Sequence, residues 1–255
     1  MRYAAIGDSF TEGVGDERAD GSVRGWADLV AAGLATAGDE TVSYANLAVR
    51  GRLLGPILGE QLEAALALDP APTLITLNGG GNDMLRPRMT SAELVELTAG
   101  AVRRCADADV RLVLLSGADP SAGLPFGRVV HRRAGALTAG IAELAAAEGV
   151  ELVDVFHDVE IRRPGYWSAD RLHLNPRGHA RVAGLVLAGL LGGDPVAPAE
   201  LGAPPPRGPR AQLGYYREHV LPWVGRRVRG HSSGDGRHGK HPTWVPVAPD
   251  RRTTA

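Results

Sequence analysis

Five short apolar runs alternate with longer stretches of helical periodicity, and that alternation leaves few folds open to the chain. The runs are Tyr3–Ile6, Val42–Ala45, Thr73–Leu77, Leu112–Ser116 and Glu151–Val153. Between and after them, apolar residues recur at helical spacing over Trp26–Ala37, Ile57–Leu68, Ser91–Cys105, Arg128–Ala147 and Pro176–Leu191. Parallel strands need long crossover connections, so this order predicts an α/β fold: a three-layer, doubly wound domain around a five-stranded parallel sheet. Ser91, with Glu93 behind it, reads as an N-cap, and Pro176 suits the first turn of the last helix. The 255 residues suffice for one such domain and an appendage.

The appendage begins where composition changes, after Gly192-Gly193. Residues 1–193 form the expected domain, and residues 194–255 a Pro/Arg-rich tail. That tail holds ten Lys/Arg against five Asp/Glu, a Pro204-Pro205-Pro206 run and a Gly/Ser-rich stretch around His231–Gly239. Leu213, Tyr216, Val220 and Val224 recur at near-helical spacing beside Tyr215 and Trp223, which predicts partial docking on the core. Net charge is −1, which offers no argument for nucleic acid as a partner. No stretch is long and apolar enough for stable membrane insertion, and the start of the chain runs straight into a strand; a cytoplasmic protein is expected. The single cysteine, Cys105, reads as structural, and nothing in the sequence specifies an oligomeric state.

Three strand ends carry polar residues of chemical interest. Gly7-Asp8-Ser9-Phe10-Thr11-Glu12-Gly13 follows the first run, so Ser9 stands at the carboxyl end of a strand, where doubly wound sheets bind ligands. Asn78-Gly79-Gly80-Gly81-Asn82-Asp83 follows the third; glycines admit close backbone approach, and an Asn amide among them can donate toward developing negative charge. Neither a P-loop Lys-Ser/Thr nor a Gly-x-Gly-x-x-Gly in the first βα turn is present, which disfavours a nucleotide site. Asp170-Arg171-Leu172-His173 precedes the last helix, and at that spacing the carboxylate can orient one ring nitrogen while the other faces the crevice. A hydroxyl nucleophile, a base, a group that fixes its tautomer and oxyanion donors are the parts of acyl transfer.

Together these blocks resemble the SGNH (GDSL-type) hydrolase family over about residues 1 to 192. The resemblance implies a flavodoxin-like SGNH domain and an esterase or lipase with a Ser-His-Asp triad. It implies Ser9 as nucleophile, His173 as base and Asp170 as the orienting acid. The oxyanion hole falls on Ser9, on Gly51 in Asn46-Leu-Ala-Val-Arg-Gly51, and on Asn82. Such chemistry calls for no cofactor and no metal, and the expected partner is a small-molecule or lipid-like ester. Phe10 stands where Leu is frequent in the family, Arg171 where Gly is, and Arg50 and Arg52 flank Gly51 where small or hydroxyl residues are usual. Pointing into the crevice, Arg50 and Arg52 would bind an anionic group of the substrate; pointing outward they would be solvated charges.

Other readings stay open on sequence alone. An acyltransferase or thioesterase would use the same acyl-enzyme. A metal-dependent phosphoesterase could draw on Asp8, Asp83, Asp170 and His173, and a catalytically silent binding module could use the basic tail. Asp8 is expected to organise the turn around Ser9, Asp83 to tie its loop to a neighbour, and Trp26 to pack on the sheet. His131, His157 and His179 lack partners at metal-ligand spacing, which assigns them surface or helix-capping roles.

Overall fold

Tyr3, Ala4, Ala5 and Ile6 are all fully buried, as a central strand covered on both faces must be. In the computed structural model this strand, β1 (Arg2–Ile6), lies between β2 (Val42–Asn46) and β3 (Leu74–Leu77), parallel to both. β4 (Arg111–Leu115) and β5 (Glu151–Val153) extend the sheet beyond β3, also parallel. The structure describes residues 1–86, 89–124, 126–193, 197, 199–201, 217 and 234–250.

Alternation along each strand divides the core in two. Tyr3, Ala5, Tyr44, Val113 and Leu115 face one layer, against α2 (Trp26–Gly38) and α8 (Pro176–Leu191). Ala4, Ile6, Ala45, Ile75 and Leu77 face the other, which contains α6 (Ser91–Asp107) and α7 (Gly127–Glu148). The same layer holds an irregular helix that opens as α3 (Leu54–Pro56), widens to a π-helical stretch over Ile57–Leu62 and closes as α4 (Glu63–Leu66). Cys105 is buried in this layer and its thiol is pushed up to about 11 by burial, which fits a structural role.

The three-layer doubly wound architecture agrees with the sequence expectation, but the sheet has six strands in the order β5-β4-β3-β1-β2-β6. The sixth, β6 (His241–Val247), comes from the tail and runs antiparallel along β2, pairing Val42 with Val247 and Tyr44 with Val245. Pro242 and Pro246 hide it from sequence reading, since proline is excluded from central strands; at a sheet edge it is tolerated. The apolar set at Leu213, Tyr216, Val220 and Val224, expected to dock the tail, lies outside the described residues. Among the described residues no helix is long and apolar enough to cross a membrane.

Capping differs slightly from expectation at α6. Thr90, not Ser91, is the N-cap: its hydroxyl accepts from Glu93 N at 3.2 Å and the Glu93 carboxylate accepts from Thr90 N at 2.8 Å, a reciprocal capping box. Strand order reverses about β1, with β2 and β3 on its two sides, so the loops leaving β1 and β3 meet at the topological switch point.

Candidate active site

Backbone constraints alone place Ser9 at that switch point. A Cβ on Gly7 would lie 2.5 Å from Thr11 Oγ1 and 2.7 Å from the Asn78 carbonyl, so the chain leaves β1 by a path open to glycine. The buried Gln61 amide, presented by the π-helical stretch, grips both sides of Gly7: Oε1 accepts from its N–H at 2.8 Å and Nε2 donates to its carbonyl at 3.0 Å. Asp8 then caps α1 (Ser9–Glu12), accepting from Phe10 N at 3.1 Å. Burial pushes the Asp8 carboxyl up to about 6, against the lowering effects of the Phe10 amide and the nearby His173.

The far end of this segment is pinned by His179, which is fully buried on α8 rather than at the surface. Its Nδ1 accepts from Trp26 N at 3.3 Å and its Nε2 donates to the Val14 carbonyl at 3.1 Å, which requires the neutral ring. Burial pulls its pKa down to about 4. Between pH 6.5 and 4 the unfolded chain therefore binds a proton that the folded chain refuses, and stability falls as pH falls. Asp8, raised to about 6, acts in the opposite sense over much of this window, so the total pH dependence mixes the two. Comparison with His179→Gln isolates the histidine: the parent's advantage in unfolding free energy should shrink by up to about 3 kcal/mol from pH 7 to pH 4. A difference that stays constant across denaturant titrations at these pH values would contradict the assignment.

His173 reaches Ser9 from the loop before α8. Its Nε2 lies 3.1 Å from Ser9 Oγ and its Nδ1 2.5 Å from Asp170 Oδ2. The other Asp170 oxygen accepts from Ser168 Oγ at 2.8 Å and from the Leu172 and His173 amides at 3.0 Å each. Burial works against ionisation of Asp170, but the His173 side chain and the two amides outweigh it and hold the carboxyl well below the usual range. Arg171 adopts φ 57° inside this turn, a left-handed conformation that costs a non-glycine residue roughly 1–2 kcal/mol and explains why glycine suits the position. Asn175 closes the loop by capping α8 at Arg177 N and Gly178 N while donating to Gly165 O and Trp167 O. Gly15 lets the two loops touch, because a Cβ there would lie 2.0 Å from Leu174 O.

Gly51, at φ 76°, and Ser9 both line the cavity in front of His173, and neither amide donates to another described residue. Asn82 lines it too. Its Nδ2 donates to Asp8 Oδ2 and to the Arg52 carbonyl, both at 3.0 Å, so an oxyanion would draw on Asn82 by displacing one of these acceptors. Asp83 ties its loop to α3 as expected, accepting from Leu54 N at 2.9 Å. The cavity measures about 350 Å³, and beyond these polar groups its wall includes Met84, Leu85, Leu124, Val130 and Leu137.

With this geometry in view, residues 5–181 match the model of the GDSL-like lipase/acylhydrolase family. The chain belongs to that family. Membership makes it a carboxylic ester hydrolase. Comparison with curated protein sequences returns no match. Among solved structures, this GDSL-like acylhydrolase is similar to TesA, with 25% identity and a TM-score of 0.59 over 74% of this chain and 98% of that one. It is also similar to a lipase/acylhydrolase from Enterococcus faecalis, at 21% identity and TM-score 0.60 over 78% of this chain and 98% of that one. The psychrotrophic esterase EstA from Pseudoalteromonas sp., in a structure inhibited by monoethylphosphonate, gives 18% identity and TM-score 0.59, covering 75% and 97% of the two chains. The last two likenesses carry the fold alone.

Of the two arginines that flank Gly51 in this acylhydrolase, Arg50 lines the cavity, with its guanidinium paired to the buried Glu12, Nη2 to Oε1 at 2.6 Å and Nε to Oε1 at 2.9 Å. Arg52 lies outside the cavity wall, its guanidinium 3.5 Å from Glu60. Trp26 packs in the core as expected. His131 stands on the Phe156 ring at 5.3 Å and meets Asp119 at 2.8 Å. No group of three or more His, Cys, Asp or Glu side chains among the described residues is arranged to hold a metal ion.

Proposed function

We propose that this chain hydrolyses small-molecule or lipid-like esters with an apolar acyl chain, through a covalent acyl-enzyme on Ser9. The observation that carries the reading is a single imidazole bonded at once to a cavity-facing hydroxyl, at 3.1 Å, and to a carboxylate, at 2.5 Å. His173 takes the Ser9 proton as Oγ attacks the ester carbonyl, and Asp170 keeps the Nδ1 proton in place and offsets the imidazolium charge. The oxyanion forms beside the Ser9 and Gly51 amides, with Asn82 as a third donor. Collapse expels the alcohol, which leaves with the proton held by His173. Water, deprotonated by the same ring, then attacks the acyl-enzyme and releases the acid and free Ser9.

Substrate preference follows from the cavity wall. Met84 and Leu85 beside Asn82, with Val130 and Leu137 from α7, offer an apolar surface next to the oxyanion donors. Arg50 also lines the cavity, but its guanidinium is already paired with Glu12, so an acidic acyl group would gain little from it there. Steady-state rates on p-nitrophenyl esters from acetate to decanoate test this. The expected result is a kcat/KM that rises from acetate to the middle of the series, about tenfold for each 1.4 kcal/mol of added transition-state binding. Turnover of p-nitrophenyl phosphate with no turnover of the carboxylic esters would overturn the reading.

A further inference from the structure

Residues 234–250 lie beyond the family match, which ends at 181, yet the first part of this segment is packed on the loop that presents Gly51. Gly234 sits so close to that loop that a Cβ would fall 2.1 Å from the Arg50 carbonyl, and a Cβ on Gly239 would fall 2.5 Å from Leu47 Cα. Between Gly239 and β6, Lys240 turns inward, its side chain only 16% exposed. Its ammonium group donates to the Glu12 carbonyl at 2.7 Å, to the Val23 carbonyl at 3.2 Å and to Asp28 Oδ2 at 2.6 Å. Glu12 is the last residue of α1, the turn that begins with Ser9. Its carboxylate accepts from Arg50 N at 2.6 Å as well as from the Arg50 guanidinium, so it holds the residue before Gly51 by backbone and side chain together. Asp28 in turn bonds Gly25 N at 2.7 Å at the start of α2.

We propose that the segment 234–247 is a brace for the oxyanion site, in which Lys240 is a positioning residue that acts through Glu12 and Arg50 on the spacing between the Ser9 and Gly51 amides. A lysine brought in from the tail fixes the end of the nucleophile turn. Glu12 transmits that position to the neighbouring loop, and backbone contact at Gly234 and Gly239 limits the loop from the outside. Oxyanion stabilisation depends on donors fixed before the reaction, so slack of a few tenths of an ångström is felt in the transition state and hardly in the bound ester. The proposal rests on the assignment of Ser9 and Gly51 as oxyanion donors.

The test is Lys240→Met, assayed well below its unfolding midpoint. The expected result is a kcat at least tenfold below the parent with KM within about twofold, since an interaction used only in the transition state lowers kcat and kcat/KM together. Lys240→Cys should show the same loss and regain most of it after alkylation with 2-bromoethylamine, which rebuilds an ammonium group at that place. If Lys240→Met folds poorly, Glu12→Gln, which keeps the shape and removes the charge, should give the same drop in kcat. A parental kcat in either variant, with only the unfolding midpoint lowered, overturns the brace and leaves the serine mechanism standing. An unreactive Ser9 in the parent overturns both.

Discussion

Replacing Ser9 with alanine should lower kcat for ester hydrolysis by about 10⁶-fold, because the proposed mechanism forms its acyl bond on that hydroxyl and the remaining groups cannot act without it. The loss should be chemical. Asp8, not Ser9, caps the turn, and Gln61 fixes Gly7 from the opposite side. The one side-chain bond that Ser9 Oγ makes among the described residues is to His173 Nε2 at 3.1 Å, so alanine leaves the local scaffold intact. Unchanged circular dichroism and an unfolding midpoint close to the parent's should accompany the lost rate. What little rate survives would come from the oxyanion donors acting on water attack.

The second large effect is expected for Asp170→Asn, about 10⁴-fold in kcat. Asp170 Oδ1 receives three donors, from Ser168 Oγ and the Leu172 and His173 amides. In the asparagine variant those donors hold the amide oxygen, which turns the NH₂ toward His173 Nδ1. The ring must then accept at Nδ1 and carry its proton on Nε2, facing Ser9 Oγ with a hydrogen where a lone pair is needed. The geometry would survive while the base is switched off. A kcat within tenfold of the parent, with the variant folded, would mean that His173 does not depend on Asp170 for its tautomer.

Much of the layout of this candidate site could be read from the sequence because its polar residues sit in short local blocks. Gly7-Asp8-Ser9 and Asp170-x-x-His173 each bring their polar side chains together within four residues, the first directly after the apolar run of β1 and the second just before α8. The supports of the site were harder to see. Gln61 lies in an ordinary amphipathic helix pattern, and only the π-helical stretch turns its amide onto Gly7. His179 carries no local sign of burial, since its partners Trp26 and Val14 lie more than 150 residues earlier. Arg50 reads as either a substrate ligand or a solvated charge until Glu12, in the nucleophile block itself, is found to hold it. The tail strand was hidden for another reason: Pro242 and Pro246 argue against a strand, and only a place at the sheet edge, along β2, tolerates them. In each case the deciding contact joins segments far apart in the chain, where composition and periodicity carry no information.

Reaction with a fluorophosphonate, followed by peptide mass mapping, decides whether Ser9 is the nucleophile that His173 activates. One adduct is expected, on Ser9, absent from Ser9→Ala and formed far more slowly in Asp170→Asn. Ester hydrolysis that persists while Ser9 remains unmodified, or an adduct that maps to another residue, would contradict it.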